Sequence, residues 1–551
     1  MTTPGKLTTE LRDKAFRWIA DDVEDGTRAE LQQVLANAMG GAPGAVEDLV
    51  DRMAGPLEFG TAGLRGPVRA GPNGMNTAVV TRTTAGVATW LTASGHAGRT
   101  VVVGRDARHG SAAFATAAAE VLAAAGFAVR VLPGPLPTPV LAFAVSELGA
   151  AAGIQITASH NPPQDNGYKL YDETGAQIVP PADHAIEAAI KAAPAAISVP
   201  RQPVPPAPSD DVLDAYLAKV AALPVGTSRD LRVAATALHG VGADVLTKAL
   251  HRAGFTDVHL VGEQSEPDPD FPTVSFPNPE EPGATDLLLA LASSVEADLA
   301  IALDPDADRC AIGVREPGGT WRMLRGDETG VLLGAHILST VVSSEGQDPL
   351  VATTIVSSSM LGEVAKAAGA RYAETLTGFK WLVRAGEGLV FAYEEALGLC
   401  VNPDFVRDKD GIAAAVAACD LAATLKAAGR SPLDSLDELS ARHGVHLTDQ
   451  VSLRVTDLRV RAKLMARLRA EPPAALAGTA VSAEDLLPDA DVLRLSGGGL
   501  RVVIRPSGTE PKLKSYLQVV EPVAGDLSAA RTTARERLAA LRADLEALLS
   551  D

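Results

Sequence analysis

The sequence predicts an α/β protein. Three tandem α/β domains of similar build, with mostly parallel sheets, precede a smaller C-terminal α+β domain. Two observations carry this. A strand, polar loop, Ala-rich helix, glycine and second strand follow one another three times along the 551 residues. After about residue 430 the pattern changes to strands followed by one long helix. The length agrees, because at about 100–150 residues per domain the chain needs three to five of them.

Residues 1–50 read as a helical extension. "TTELRDKAFRWIADDV" has helical spacing with acidic residues early, and "TRAELQQVLANA" begins at a capping threonine, Thr27. The first domain spans 51–200 and holds "TVVVGRDARHGSAAFATAAAEVLAAAGFAVRVL", with Gly126 as the helix stop. Its apolar stretch 112–132 is broken by Glu120 and Arg130, so it reads as helix then strand, not as a membrane span. A Pro-rich linker covers 193–211. The second domain, 206–318, repeats the pattern in "LRVAATALHGVGADVLTKALHRAGFTDVHLV" with Gly254. "REPGGTWR" is a turn near its end. The third, 319–435, repeats it in "PLVATTIVSSSMLGEVAKAAGARYAETL" with Gly369. Strand–helix–strand units imply right-handed crossovers, and ligands of such sheets lie beyond the carboxyl ends of the strands. The fourth domain, 445–551, contains "VSLRVTDL", "LRVVIRPSGTEPKLKSYLQVV" and the helix "SAARTTARERLAALRADLEALL".

Apolar residues make up 46% of the chain and aromatics 4%, so cores are aliphatic and close-packed. A net charge of −19 argues against a general nucleic-acid binder, though a cleft can still be locally basic. Cys310, Cys400 and Cys419 stand apart with no CxxC pair, which points to a reducing compartment. The N-terminus has no apolar h-region. The expectation is a cytoplasmic protein without a membrane segment.

Four loops carry chemistry. In "GIQITASHNPPQDNGYKLYD" a buried-type strand ends at Ile156, and Ser159 and His160 sit on a loop stiffened by two prolines. That suits a nucleophile or phosphate carrier; the bland alternative is a serine turn with a capping histidine. In "ADLAIALDPDADRC" a strand delivers Asp304, Asp306 and Asp308. Three carboxylates so close repel one another unless a cation is bound, and hard oxygens suit magnesium. An EF-hand is excluded, since its glycine and glutamate positions hold Arg309 and Arg315. The third stretch offers Thr377, Gly378 and Lys380, then Glu394 and Glu395, groups able to bind sugar hydroxyls. "VRDKDGIAAAV" adds Arg407 and Lys409 before an apolar helix. The fourth, "VVIRPSGTEPKLKSYLQV", is an anion cradle: Arg505 for a planar fork, Ser507 and Thr509 for hydroxyls, Gly508 for close backbone approach, and Lys512 and Lys514 for charge. It is not a Walker loop. Phosphoryl transfer onto a polyol accounts for all four.

"TASHNPPQDNGYKLY", "DPDADR", "EEALG" and "RPSGTEPKLK" stand in the order found in the α-D-phosphohexomutases, the phosphoglucomutase/phosphomannomutase superfamily. "EFGTAGLRG" and "LHGVG" resemble its longer subgroup, which includes phosphopentomutases. The resemblance runs from about residue 50 to the C-terminus. It implies four domains around a central cleft, with Ser159 as the phosphoserine. Asp304, Asp306 and Asp308, with a phosphoserine oxygen of Ser159, would hold one Mg²⁺ per chain. His160, Lys169 and Arg65 would surround the transferring phosphoryl group, with Lys380 and Lys409 as further catalytic groups. Arg309, Thr377, Gly378, Glu394 and Glu395 would contact substrate, and Arg505, Ser507, Gly508, Thr509 and Lys512 would clamp the non-reacting phosphate. Many hexomutases read Glu-x-Ser in the sugar loop; here Ala396 replaces that serine.

The implied activity is interconversion of hexose 1-phosphate and hexose 6-phosphate, of glucose or mannose, with a sugar 1,6-bisphosphate as intermediate and activator. Two alternatives stand beside it: a phosphopentomutase of (deoxy)ribose phosphates, and a Mg-dependent serine phosphohydrolase. A non-catalytic sugar-phosphate sensor needs neither Ser159 nor three aspartates. Expected partners are small-molecule sugar phosphates, with neither nucleic acid nor membrane, and the chain is a monomer or homodimer.

Overall fold

The computed structural model describes residues 7–60, 63–205, 211–341, 348–454, 458–506 and 512–550. The chain forms two compact units. Unit one contains Met1–Pro224, Arg232–Cys310 and Asp404–Val416; unit two contains Val225–Leu231, Ala311–Pro403 and Ala417–Asp551.

Unit one opens with three helices, α1 (Thr9–Asp21), α2 (Asp25–Met39) and α3 (Ala45–Arg52), which bury Leu31, Leu35, Leu49 and Met53. Thr8 Oγ1 caps α1 by accepting from Leu11 N at 3.1 Å. Thr27, the expected cap of the next helix, lies inside α2 and donates to Glu24 O at 3.2 Å. Asp25 places negative charge on the first turn, where the helix dipole favours it, and the helix extends back past the threonine.

The first sheet has the order β1-β5-β4-β2-β3. Its strands are β1 (Leu64–Pro67), β2 (Thr100–Arg105), β3 (Ala128–Val131), β4 (Ala152–Ile156) and β5 (Asp165–Tyr171). Helices α4 (Thr77–Ala93), α5 (Ser111–Ala124), α6 (Thr138–Glu147) and α7 (Ala182–Ala192) accompany it. β2 runs parallel to β3 and β4, whereas β5 runs antiparallel to β4 and β1. The sheet is therefore mixed, where mostly parallel pairing was expected. The short connection from Thr157 to Gln164 can only reverse the chain, because a parallel return needs a crossover of about a dozen residues or more.

The second domain places β6 (Arg232–Thr236) between β7 (Asp257–Leu260) and β8 (Leu299–Leu303), all parallel. Its helices are α8 (Asp211–Ala221), α9 (Gly242–Arg252) and α10 (Asp286–Ser294). β9 (Cys310–Arg315) leads into unit two and pairs there with β10 (Trp321–Met323) as an antiparallel hairpin around the predicted turn.

Unit two continues with α11 (Gly326–Val341), β11 (Leu350–Thr354), α12 (Met360–Ala368), β12 (Arg371–Thr375), the short α13 (Phe379–Leu382), β13 (Leu389–Glu394) and β14 (Gly398–Cys400). The sheet order is β12-β11-β13-β14, with only the last pair antiparallel. α14 (Gly411–Ala427) and α15 (Pro432–His443) follow. The C-terminal domain comprises β15 (Val445–Arg454), α16 (Leu458–Ala470), the two-residue strands β16 (Ala475–Leu476) and β17 (Thr479–Ala480), then β18 (Ser482–Asp485), β19 (Leu493–Gly497), β20 (Leu500–Pro506), β21 (Lys512–Glu521) and α17 (Leu527–Ser550). Its main sheet, β15-β21-β20-β19-β18, is antiparallel throughout. Leu541 and Leu545 of α17 bury in the same core as Val502, Ile504 and Leu517.

The three repeat glycines all end their helices in the left-handed region, at φ 89° for Gly126, 94° for Gly254 and 73° for Gly369. That conformation is open to glycine at no steric cost, so one residue type marks the same joint three times. No single helix among the described residues is long and apolar enough to cross a membrane.

Asp410 starts α14. Its Oδ1 accepts from Ala413 N at 2.9 Å and from the Tyr216 hydroxyl at 2.7 Å. Such bonds favour the carboxylate, yet full burial outweighs them and holds the carboxyl up at about 6. The folded state therefore binds this proton more tightly than the unfolded chain, whose value is about 3.9. The contribution is complete below pH ~4 and is lost as pH rises through 6, a change of about 3 kcal/mol. Asp410→Asn keeps the acceptor and removes the titration. Its thermal midpoint should gain on the wild type as pH is raised from 4 to 7; a difference that stays flat across that window is the contrary result.

Candidate active site

β4 is buried along its whole length and delivers Thr157, Ala158 and Ser159 into a turn that is itself buried. Ser159 has φ 54°, a left-handed conformation that costs a non-glycine residue about 1–3 kcal/mol unless its surroundings impose it. Arg108 imposes it. Its Nη2 donates to the carbonyls of Ser159 and Asn161, both at 2.6 Å. Its Nη1 donates to those of Pro162 at 2.8 Å and Asp165 at 3.2 Å. The guanidinium is itself fixed by Asp106, with Nε 3.4 Å from Oδ2, and by the Phe271 ring at 4.9 Å. Thr157 Oγ1 accepts from Ser159 N at 2.9 Å and completes the turn.

The aspartate loop leaves β8 in the same unit, and Asp304, Asp306 and Asp308 are fully buried. Backbone presses on it from two sides. A Cβ on Gly240, in the loop after β6, would overlap the Pro305 backbone, and one on Gly411 would overlap the carbonyl oxygens of Ala307 and Arg309. The contacts are bonded as well as close: Val241 N donates to Pro305 O at 2.8 Å, and Gly411 N to Ala307 O at 3.2 Å.

The two loops meet at the serine hydroxyl. Ser159 Oγ donates to Asp304 Oδ2 at 2.7 Å, and His160 Nδ1 lies 3.2 Å from Ser159 Oγ. Lys169, buried on β5, donates from Nζ to Asp306 Oδ2 and Asp308 Oδ2, each at 2.7 Å. Lys409 Nζ lies 3.1 Å from Asp308 Oδ2 and 3.5 Å from Asp408 Oδ1. Thr138, at the start of α6, donates from Oγ1 to Asp306 Oδ2 at 2.6 Å. Asp304 Oδ1 accepts from Arg309 N at 3.0 Å, and Arg65 Nη1 donates to Asn161 Oδ1 at 3.2 Å.

These contacts divide the three carboxyls. Burial, with Asp306 and Asp308 nearby, pushes Asp304 well above the usual carboxylate range. Burial also acts on Asp306 and Asp308, but Lys169, joined at Asp308 by Lys409 and Arg309, wins and holds both below it. Burial would pull the Lys169 ammonium down; Asp306 and Asp308 keep it above its ordinary value. Burial, Arg309 and Arg65 hold His160 well below 6.5, so its imidazole is neutral.

Mutual repulsion of the aspartates is thus partly answered by lysines from within the chain, which the sequence-level argument for a bound cation did not count. Two other observations favour a metal. Asp304, Asp306 and Asp308 each offer an oxygen, and these oxygens all lie within 4.8 Å of one another. Among the described residues Asp306 Oδ1 and Asp308 Oδ1 are buried and make no hydrogen bond, with Arg309 Nε 3.9 Å from the latter. Buried polar atoms are nearly always hydrogen-bonded, so these two carboxylate oxygens fit a hard divalent cation.

Unit two carries the other expected residues. Glu394 ends β13 and is buried. Glu395 Oε2 accepts from the hydroxyls of Thr354 at 3.2 Å and Ser357 at 3.1 Å. Thr377 Oγ1 is buried without a hydrogen-bond partner among the described residues, and Gly378 follows at φ 116°. Lys380 lies on α13 with Nζ 5.8 Å from the Trp381 ring. Arg505 stands opposite Lys514, and Lys512 opposite Arg454, across neighbouring strands. Ser507, Gly508 and Thr509 lie outside the described residues.

Sequence reasoning missed Arg108, Thr138 and the packing role of Gly240. Arg108 lies in "GRDARHG", a polar loop at a strand's carboxyl end, and that position was the available signal. Gly240 lies in "LHGVG", likewise beyond a strand's carboxyl end, whereas Thr138 carried no local signal.

Three family models match the chain: phosphoglucomutase/phosphomannomutase alpha/beta/alpha domain I over residues 56–196, domain II over 214–319 and domain III over 325–442. A Haemophilus influenzae protein named "Probable phosphomannomutase" is 44% identical over 456 residues, covering 81% of this chain and 93% of its own. The human phosphopentomutase is 33% identical over 576 residues, covering 93% and 92%. Among solved structures, a phosphoglucomutase/phosphomannomutase family protein from Burkholderia thailandensis shares the fold, with a TM-score of 0.69 at 22% identity over 89% of this chain and 96% of its own.

Two variants probe this architecture. Gly240→Ala should displace Pro305 and the aspartates with it, costing about 1–3 kcal/mol of stability and weakening titrated Mg²⁺ or Mn²⁺; unchanged metal affinity would contradict the packing argument. Arg108→Lys keeps the charge but not the fork to four carbonyls. It should lower turnover about 100-fold while substrate KM moves little, and wild-type kcat in that variant would show that the turn holds without the brace.

Proposed function

The chain belongs to the phosphoglucomutase/phosphomannomutase family, and on that premise we propose that it interconverts hexose 1-phosphate and hexose 6-phosphate through a phosphorylated Ser159. The observation that carries this is the Ser159 hydroxyl, held in a strained, braced turn and bonded to Asp304 at 2.7 Å.

In the proposed reaction the bond from phosphorus to Ser159 Oγ breaks as a sugar hydroxyl oxygen bonds to phosphorus. The hydroxyl proton leaves to a base while Ser159 Oγ, the leaving group, takes up a proton; the sugar bisphosphate then returns its other phosphate to Ser159, whose hydroxyl proton passes to the departing sugar oxygen. His160, a neutral imidazole beside Ser159, is able to take that proton. Lys169 is held as an ammonium and serves as donor and charge partner. Arg65, Arg309 and Lys409 are assigned to the transferring phosphoryl oxygens. Asp304, Asp306 and Asp308, with an oxygen of phosphorylated Ser159, would hold Mg²⁺, which supplies charge neutralisation at those oxygens when bound. Glu394, Glu395, Thr377 and Gly378 are assigned to the sugar, Lys380 to acid–base work, and Arg505, Ser507, Gly508, Thr509 and Lys512 to the non-reacting phosphate. A trace of sugar 1,6-bisphosphate would prime the serine. Three buried cysteines, none in a CxxC pair, suit the reducing cytoplasm.

Pentose phosphates are the second reading. The phosphopentomutase relative supports it by coverage, matching 93% of the chain against 81% for the phosphomannomutase relative, though at 33% identity against 44%.

The test is isomerisation of glucose, mannose and ribose 1-phosphates with Mg²⁺ and a trace of bisphosphate. The wild type should turn over at least one and gain one phosphoryl mass on the peptide bearing Ser159. Ser159→Ala should lose about 10³-fold or more. Full turnover in that variant would end the proposal, and inorganic phosphate released faster than sugar is isomerised would favour a hydrolase.

A further inference from the structure

Unit two contains a polar network of which the proposed chemistry uses only Glu395. Its hub is the turn Ser357–Ser359, between β11 and α12. On one side Ser357 holds the sugar loop: its Oγ donates to Glu395 Oε2 at 3.1 Å and accepts from Glu395 N at 3.1 Å. On the other side the turn meets the C-terminal sheet. Arg501, on β20, donates from Nη2 to the Ser357 carbonyl and, at 3.0 Å, to Gln518 Oε1. Its Nη1 donates to Glu374 Oε1 at 3.0 Å. Gln518, on β21, accepts from Ser359 N at 2.8 Å and donates to Ser359 Oγ at 2.8 Å.

Apolar packing accompanies the network. Ile355 and Val356 of the turn cluster with Val503 of β20 and Tyr516 of β21, and Leu376, beside Thr377, packs against them. Val503 and Arg501 alternate with Arg505 on β20, so all three share one face of the strand. One short turn is thus bonded to a sugar-loop carboxylate and to the strand that bears the expected phosphate clamp.

We propose that Arg501 is a positioning residue which, through Ser357, couples the Glu394–Glu395 loop to the strand carrying Arg505; this rests on the assignment of those groups to sugar and phosphate. Arg501 touches no substrate in this scheme. Its planar fork spans the Ser357 carbonyl, Gln518 and Glu374 together, which a lysine cannot do. Removing it leaves the two ends of the substrate to be recognised by elements no longer held in register.

The test uses the full chain and reads glucose 6-phosphate binding by calorimetry, KM, kcat and the thermal midpoint. Arg501→Gln should weaken binding about 10-fold with kcat changed less than about 3-fold. Arg501→Lys should recover the midpoint, through Glu374, but not the affinity. Ser357→Ala should weaken binding alike, and the double variant Ser357→Ala with Arg501→Gln should be no worse than either single one. Unchanged affinity in Arg501→Gln or Ser357→Ala, full recovery by lysine, or additive losses would each overturn the coupling. If Arg501→Gln does not fold, Arg501→Lys and Ser357→Ala decide. If the wild type binds no sugar phosphate, the proposed function fails instead. The coupling is then read by hydrogen exchange at residues 394–396 in Arg501→Gln, where faster exchange supports it and unchanged exchange overturns it.

Discussion

Three buried carboxylates set the terms for unit one. Taking Asp304, Asp306 and Asp308 out of water is costly, and the neighbouring residues answer that cost in different ways. Lys169 and Lys409 neutralise Asp306 and Asp308, while Asp304 is left bonded to the serine hydroxyl and favours its protonated form. Among the described residues the remaining oxygens of Asp306 and Asp308 make no hydrogen bond, which is the feature of the loop that a divalent cation fits best.

The same loop dictates its own packing. Carboxylates can be held this close only if the backbone between them is immobile. Gly240 and Gly411 bring main chain against it from the start of two different helical segments, where any side chain would intrude. The serine turn follows the same logic with different means. It is kept in a left-handed conformation by one arginine that satisfies four of its carbonyls. In both loops rigidity comes from bonds to backbone, and the polar side chains of Ser159 and the three aspartates are left to contact one another.

Unit two solves a different problem. Its expected sugar and phosphate groups are spread over two sheets, and hydrophobic packing alone does not specify their relative position. A polar hub at Ser357–Ser359, satisfied by Arg501, Gln518 and Glu395, defines it by direction as well as by contact. Tyr516 and Val503 add apolar burial around that hub without choosing among orientations.

Much of this was legible in the linear sequence because it rests on local physics. The recurring order of strand, polar loop, Ala-rich helix, glycine and strand located the three repeats, and Gly126, Gly254 and Gly369 marked the left-handed helix ends that few other residues accept. The buried strand followed by Ser159, and the strand delivering Asp304, Asp306 and Asp308, were readable from apolar runs that stop abruptly at polar residues. What tertiary structure alone decided involves partners distant in the chain. The charge states of the aspartates depended on Lys169 and Lys409, and the serine turn on Arg108. None of these follows from composition or periodicity, because a hydrogen bond between residues 108 and 162 depends on where two strands end in space, and no local propensity encodes that distance.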